Sequence, residues 1–217
     1  MHPTGINSMH ILHIASSPRG ERSVSLKLAS RYLETLTSLH PESTVDVLDV
    51  WTIDLLPFDG PALEAKYADL QGVQMSDEQQ AVWKQIHALG ERFHRADVIL
   101  FSVPMWNFGV PYRLKHLIDS VSQRGVLFEF DAQGMRGLLK GKNVVVFASR
   151  GVALGEDFPT EAYDHQVAYL KTWARMVGIP TIDAVLSEAT LADPATAEAN
   201  FTAALAEASK LAAAVQP

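Results

Sequence analysis

A parallel, doubly wound α/β sheet with helices on both faces is the fold class this sequence predicts. Short apolar runs alternate with runs of helical period along nearly the whole chain. Two of the apolar runs, Asp97–Val103 and Asn143–Ala148, are almost continuously apolar, as strands covered on both faces must be. Between the apolar runs lie segments long enough to be crossover helices, so successive strands pair in parallel.

Taken in order, His10–Ala15 reads as the first strand. A polar loop, Ser16 to Arg22, follows it, and Ser23 is placed to cap a helix. Leu26, Leu28, Ala29, Tyr32, Leu33 and Leu36 then recur at helical spacing. Thr44–Val50 alternates as a second strand. Residues 51–75 show no clean period and are long for a loop, which suggests a cover or short helical turns. Ser76 with Gln79 three residues on is a capping box for a helix over Ser76–Arg95. Asp97–Val103 is the third strand, and Pro111 suits the first turn of a helix reaching Val121. Residues 125–141 hold the alternating stretch Val126–Phe130 between glycines, a small hairpin. Asn143–Ala148 is the fourth strand, 159–177 a helix, Ile179–Leu186 the fifth strand and Pro194–Val215 an alanine-rich closing helix. No repeat or interdomain linker interrupts the series, so one domain is expected over 9–217. Met1–Ser8 are then a disordered extension ahead of Met9.

Composition narrows the chemistry. The 217 residues are 47% hydrophobic and 20% charged, ordinary for a globular chain. There is no cysteine, which excludes disulfides, a thiolate nucleophile and Cys-ligated metal centres. A formal charge of −7 repels nucleic-acid phosphates, so no nucleic-acid partner is expected. No apolar run approaches the ~18 residues of a membrane span, and the polar Met1–Ser8, without an apolar stretch, are not expected to be a signal peptide. The eight histidines include no i, i+4 pair, so no helical zinc site and no metal are expected. His87 and His94, seven apart, read as a solvated face.

In open α/β sheets ligands bind outside the carboxyl ends of the strands. Three post-strand loops therefore converge on one crevice. The first, Ser16 to Ser25, lacks the glycine fingerprints of dinucleotide and nucleoside triphosphate sites. It offers the hydroxyls of Ser17, Ser23 and Ser25 around a helix start, which suit a single phosphate. The same loop also reads as an ordinary helix cap. The second, Met105-Trp106-Asn107-Phe108, puts aromatic rings and one amide after a buried strand, as a flat ligand or a plain hydrophobic turn would require. The third, Ser149-Arg150-Gly151 through Gly155, has glycines that permit close backbone approach, or it is a simple connection. Together these describe a site for a planar ring carrying one phosphate.

With these motifs, Gly125-Val126-Leu127-Phe128 and Gly178-Ile179, the chain resembles the FMN-dependent NADH-azoreductases, also called FMN-dependent NADH:quinone oxidoreductases, from about Met9 to Val215. The resemblance implies a flavodoxin-like fold with strand order 2-1-3-4-5, noncovalent FMN and a cytoplasmic homodimer. It implies an enzyme in which NADH or NADPH drives two-electron, ping-pong reduction of quinones and aromatic azo compounds. By the same resemblance, Ser17, Ser23, Ser25 and the Val24 amide hold the FMN phosphate. Met105, Trp106, Asn107 and Phe108 line the isoalloxazine, with Asn107 near the flavin N5. Ser149, Arg150 and Gly151 approach its other end. Phe130 and Trp173, with Trp106, shape an acceptor pocket completed by a second subunit. Trp106 stands where the family commonly has Tyr. Val24 offers only its N–H where some members carry a polar side chain. Val152-Ala153-Leu154 replaces a further Gly and a nearby His seen in some members.

The alternative class is a flavodoxin-type electron carrier without an acceptor of its own. Against it, residues 51–75 and 125–141 are expected to enlarge a pocket that a carrier does not need. A receiver domain would need acidic residues after the first strand, and a serine hydrolase G-x-S-x-G; neither is present.

Overall fold

The computed structural model describes residues 8–216. The expected disordered extension therefore lies, all but Ser8, outside the described residues. The strands are β1 (His10–Ala15), β2 (Thr44–Asp49), β3 (Val98–Pro104), β4 (Phe128–Asp131), β5 (Gly134–Gly137), β6 (Asn143–Ser149) and β7 (Asp183–Ser187). The helices are α1 (Val24–Leu39), α2 (Gly60–Gln71), α3 (Asp77–Arg95), α4 (Tyr112–Val121), α5 (Thr160–Tyr163), α6 (Val167–Met176) and α7 (Pro194–Ala213). The main sheet is parallel throughout and runs β2-β1-β3-β6-β7. The expected order 2-1-3-4-5 is corrected in detail, because the hairpin β4-β5 takes two numbers and stands outside the sheet.

The central strands explain the burial on both faces. Along β3, Ile99, Phe101 and Val103 pack into the core shared with α3, α4 and α6. Val98 and Leu100 point the other way, into the core shared with α1 and α7. No polar alternation is left for solvent, which is why the stretch reads as one apolar run. Helix α1 begins where expected: the Ser23 side chain accepts from Leu26 N. Helix α3 starts on the full capping box of Ser76 and Gln79.

Three boundaries differ from the sequence reading. Residues 51–75 contain α2, a helix of 12 residues. Its buried face consists of Ala62 and Ala65, while Leu63, Tyr67 and Leu70 are exposed. With large residues outside and alanines inside, no apolar stripe marks it. The helix expected over 159–177 breaks into α5 and α6, because the Asp164 carboxylate accepts from Gln166 N (3.1 Å) and Val167 N (2.8 Å) and starts α6 afresh. Strand β7 begins at Asp183, since Ile179 N is still bonded to Ala174 O beyond the end of α6 (2.8 Å) and Pro180 has no N–H to offer.

The hairpin is docked by a contact between glycines. A Cβ at Gly137 would collide with the backbone of Val177 and Gly178, just past α6. Leu139 N donates to Val177 O (2.8 Å) beside it. Gly178 itself sits at φ 100, a conformation that favours glycine. At the hairpin's far end Phe130 pairs with Met135, and both are more than half exposed. Among the described residues no helix is long and apolar enough to cross a membrane.

Candidate functional site

Strands β1, β3 and β6 deliver their loops to the same edge of the sheet, as their parallel register requires. The loop after β1 is built from hydroxyls and free amides. Ser17, Ser23 and Ser25 are all buried, and the Ser23 and Ser25 hydroxyls lie 3.2 Å apart at the start of α1. The N–H groups of Val24 and Ser25 open α1, where no intrahelical acceptor exists. Among the described residues the Ser17 amide also donates no hydrogen bond. Hydroxyls and unclaimed amides at a helix N-terminus suit a dianion without any basic side chain.

A buried polar chain supports this loop from below. His13 Nε2 lies 2.7 Å from Ser102 Oγ in the middle of the sheet. Ser102 O accepts both Ser16 N (3.1 Å) and Ser16 Oγ (2.6 Å). Burial drives the His13 pKa down to about 4 against a smaller opposing pull from Asp49, so the ring is neutral at pH 7.

The loop after β3 is a tight turn. Trp106 and Gly109 exchange backbone hydrogen bonds of 3.0 and 2.9 Å, and the residues between them, Asn107 and Phe108, sit at φ 47 and φ 66. Paired left-handed residues are usual for Asn-Gly; a phenylalanine there carries strain of roughly 1–3 kcal/mol. Phe108 is held by packing. Its ring lies 4.8 Å from Tyr163 and 5.5 Å from Phe158, and its carbonyl accepts His165 N (3.0 Å). Met105 N donates to Ser149 O (2.8 Å), tying this turn to the third loop.

In the third loop the structure corrects the role expected of Arg150. Its side chain is buried and turned inward rather than toward a ligand. It meets Gln166 Oε1 at 3.0 Å, Glu188 Oε1 at 3.0 Å and Asp164 Oδ2 at 3.0 Å. Glu188 also accepts Leu154 N (3.3 Å), and Gln166 Nε2 donates to Val103 O (2.8 Å). One guanidinium thus ties the β6 loop to the start of α6 and, through Gln166, to the end of β3. Gly151 does make a close approach, but to the Leu191 side chain; at Gly155 nothing lies within 4 Å of an added Cβ.

Beside the strained turn lies a cavity of about 1160 Å³. Trp106 and Asn107 form part of its wall, Tyr112 and His116 of α4 another part, and Tyr169 of α6 a third. Burial, with a smaller push from Asp119, raises the Tyr169 pKa to about 12, so its hydroxyl keeps its proton at neutral pH. Sequence reasoning missed Tyr112, His116 and Tyr169 because the cavity forms between helices, and nothing in a single helix marks a wall. Trp51 was missed as well. Its ring stands 5.7 Å from Trp106 and 5.4 Å from Tyr112.

Trp173 does not belong to this cavity, and its expected place in an acceptor pocket is corrected. It is 3% exposed, packs on Phe93 and Phe101, and donates from Nε1 to Ser122 Oγ (3.0 Å). Tyr169 and Trp173 share one face of α6; Trp173 is buried in the core, and Tyr169, partly buried against the same core, reaches the cavity. Phe130 stands on the hairpin and does not line its own chain's cavity. His94, expected in a solvated face, is half-buried and reaches Val126 O at 2.6 Å.

Comparison with known proteins gives a consistent picture. The family model described as flavodoxin-like fold matches residues 9–212. The FMN-dependent NADH:quinone oxidoreductase 9 of Burkholderia lata is 40% identical over 184 residues, covering 83% of this chain and 88% of its own. An FMN-dependent NADH:quinone oxidoreductase of Pseudomonas fluorescens is 38% identical over 205 residues, covering 93% and 95%. Among solved structures, the azoreductase of Bacillus anthracis superposes with a TM-score of 0.87 at 26% identity, over 94% of this chain and 98% of that one.

Proposed function

The chain belongs to the flavodoxin-like family and to its FMN-dependent NADH:quinone oxidoreductases, and from that premise we propose that it uses NADH to reduce quinones and aromatic azo compounds through noncovalent FMN. The observation that carries this reading is the placing of two unlike loops on one sheet edge: buried hydroxyls with unclaimed amides after β1, and an aromatic turn beside a large cavity after β3. The first set fits a monophosphate. It lacks the glycine-rich turn that a pyrophosphate needs, so FMN is favoured over FAD.

When bound, FMN supplies the two-electron hydride chemistry; the protein supplies placement and electrostatics. Ser17, Ser23, Ser25 and the Val24 amide bind the phosphate. Met105, Trp106, Asn107 and Phe108 line the ring, and the Asn107 amide or side chain bonds near N5. Ser149 and Gly151 approach the pyrimidine end, while Arg150 acts by holding their loop. Trp106, Tyr112 and Tyr169 shape the space for the acceptor, and the cavity they form is one that a pure electron carrier does not require.

The working unit proposed is one domain over residues 9–217, acting in the cytoplasm as a homodimer. The exposed Phe130 and Met135 of one subunit then meet the acceptor site of the other. The test is reconstitution with FMN followed by steady-state turnover of NADH with a quinone and with an azo dye. Parallel double-reciprocal lines and one flavin per chain are expected. Recovery of stoichiometric FAD, or no flavin uptake at all, overturns the reading. Phe130→Ala should alter acceptor kinetics with flavin content unchanged; full activity from a monomer would refute the shared site.

A further inference from the structure

We infer that Trp51 is a positioning residue that sets the phosphate loop and the acceptor wall in register with one another. The inference rests on the FMN reading above and adds to it a residue outside all three post-strand loops that were read as the site.

Two separate groups of the same side chain make the link. The indole Nε1 donates to the carbonyl of Ser16 at 3.0 Å. The indole ring packs on Trp106 and, edge-on, on Tyr112, both of which wall the cavity. The first contact acts on the phosphate loop through peptide geometry. The Ser16–Ser17 peptide is trans, so its C=O and N–H point in opposite directions. A carbonyl held toward Trp51 therefore turns the Ser17 N–H away from it. That N–H donates to nothing among the described residues, in a residue only 4% exposed. A buried amide aimed by its neighbour and left without an acceptor is a donor reserved for a ligand.

The turn that carries Trp51 is itself rigid. Val50 N donates to Ala15 O (3.1 Å) and Trp51 N to Asp49 Oδ1 (2.9 Å). From α4, Arg113 donates to Val50 O (2.7 Å) and to Ile53 O (2.9 Å). Tyr112 and Arg113 are adjacent, so the helix that presents the cavity wall also clamps the turn behind it. Trp51 is thus fixed from below by β1, from the side by α4, and transmits both to Ser16.

Two variants separate the two contacts. Trp51→Phe keeps a ring against Trp106 and removes the donor; Trp51→Leu removes both. Affinities of the apoprotein for FMN and for riboflavin, read by quenching of flavin fluorescence, report the phosphate loop, because riboflavin lacks the phosphate. Trp51→Phe should weaken FMN about tenfold, leave riboflavin within about twofold and leave the quinone KM unchanged. Trp51→Leu should show the same loss of FMN and, in addition, a quinone KM raised about fivefold. If Trp51→Leu does not fold, Tyr112→Leu, which removes a 65% exposed ring, takes its place for the KM arm. An unchanged FMN-to-riboflavin ratio in Trp51→Phe, or equal losses of both flavins in both variants, overturns the inference. If the wild-type chain binds neither flavin, the FMN reading fails instead.

Discussion

After β1 the chain turns through residues 16–23 with no non-glycine residue in the left-handed region, and it commits hydroxyls and amides. After β3 it turns through Asn107 and Phe108, both left-handed, and commits aromatic rings. The first loop needs little support because its donors are what a helix start leaves over. The second needs the Phe108–Phe158–Tyr163 cluster to hold a conformation its residues resist. On the proposed reading, a charged group would be met by ordinary backbone and a flat ring by a shape that has to be forced.

The sharpest way to break the contrast is at the first loop. Joint substitution of Ser23→Ala and Ser25→Ala removes two hydroxyls that would face a dianion, each worth about 1.5–3 kcal/mol. FMN affinity should fall about a hundredfold or more, with riboflavin hardly affected, by fluorescence titration. Equal loss of both flavins would show that the hydroxyls serve the helix and not the phosphate.

The polar chain under that loop gives the next effect. His13 titrates near 6.5 when unfolded and at about 4 in the fold. Between those values the unfolded chain binds the extra proton, so stability is complete above pH 6.5 and declines as pH falls toward 4. From pH 7 to pH 5 the loss traceable to this ring is about 2 kcal/mol. Urea unfolding of wild type and His13→Asn at both pH values measures it as the difference of differences. A pH dependence identical in the two proteins would remove His13 from the account.

The smallest effect is the most specific to the second loop. In ordinary backbone glycine is less stable than alanine; at φ 66 the order reverses. Phe108→Gly should therefore be more stable than Phe108→Ala by about 1 kcal/mol, although both lose the ring packing. The usual order would show that the turn relaxes once the ring is gone.

The same contrast bears on what the amino-acid order reveals. The hydroxyl loop was legible because Ser23 announces a helix start and loops after parallel strands face ligands. The Met-Trp-Asn-Phe turn was legible in its residue types and not in its conformation, since nothing in Asn107-Phe108 signals two left-handed residues. Arg150 misled because the resemblance carries over a residue's position and not the direction of its side chain. Its partners Asp164, Gln166 and Glu188 are brought in from later in the chain. Trp173 and Tyr169, four residues apart, share one face of α6, so helical spacing does not say that the first is buried in the core and the second only partly buried against it. Helix α2 escaped because alanines, not large residues, form its buried side.

The backbone contact of Gly137 with Val177 and Gly178 bears on how the hairpin meets another surface. With no side chain between the two backbones, β5 lies directly against the end of α6, and Leu139 N adds a hydrogen bond beside it. The tip bearing Phe130 and Met135 is therefore carried as part of the folded body, not as a swinging arm. Ordering a loose backbone costs about 1–2 kcal/mol per residue, and here that loss of freedom is incurred during folding. A surface that receives the tip binds it already ordered, so the area the two rigid shapes bury appears more fully as affinity.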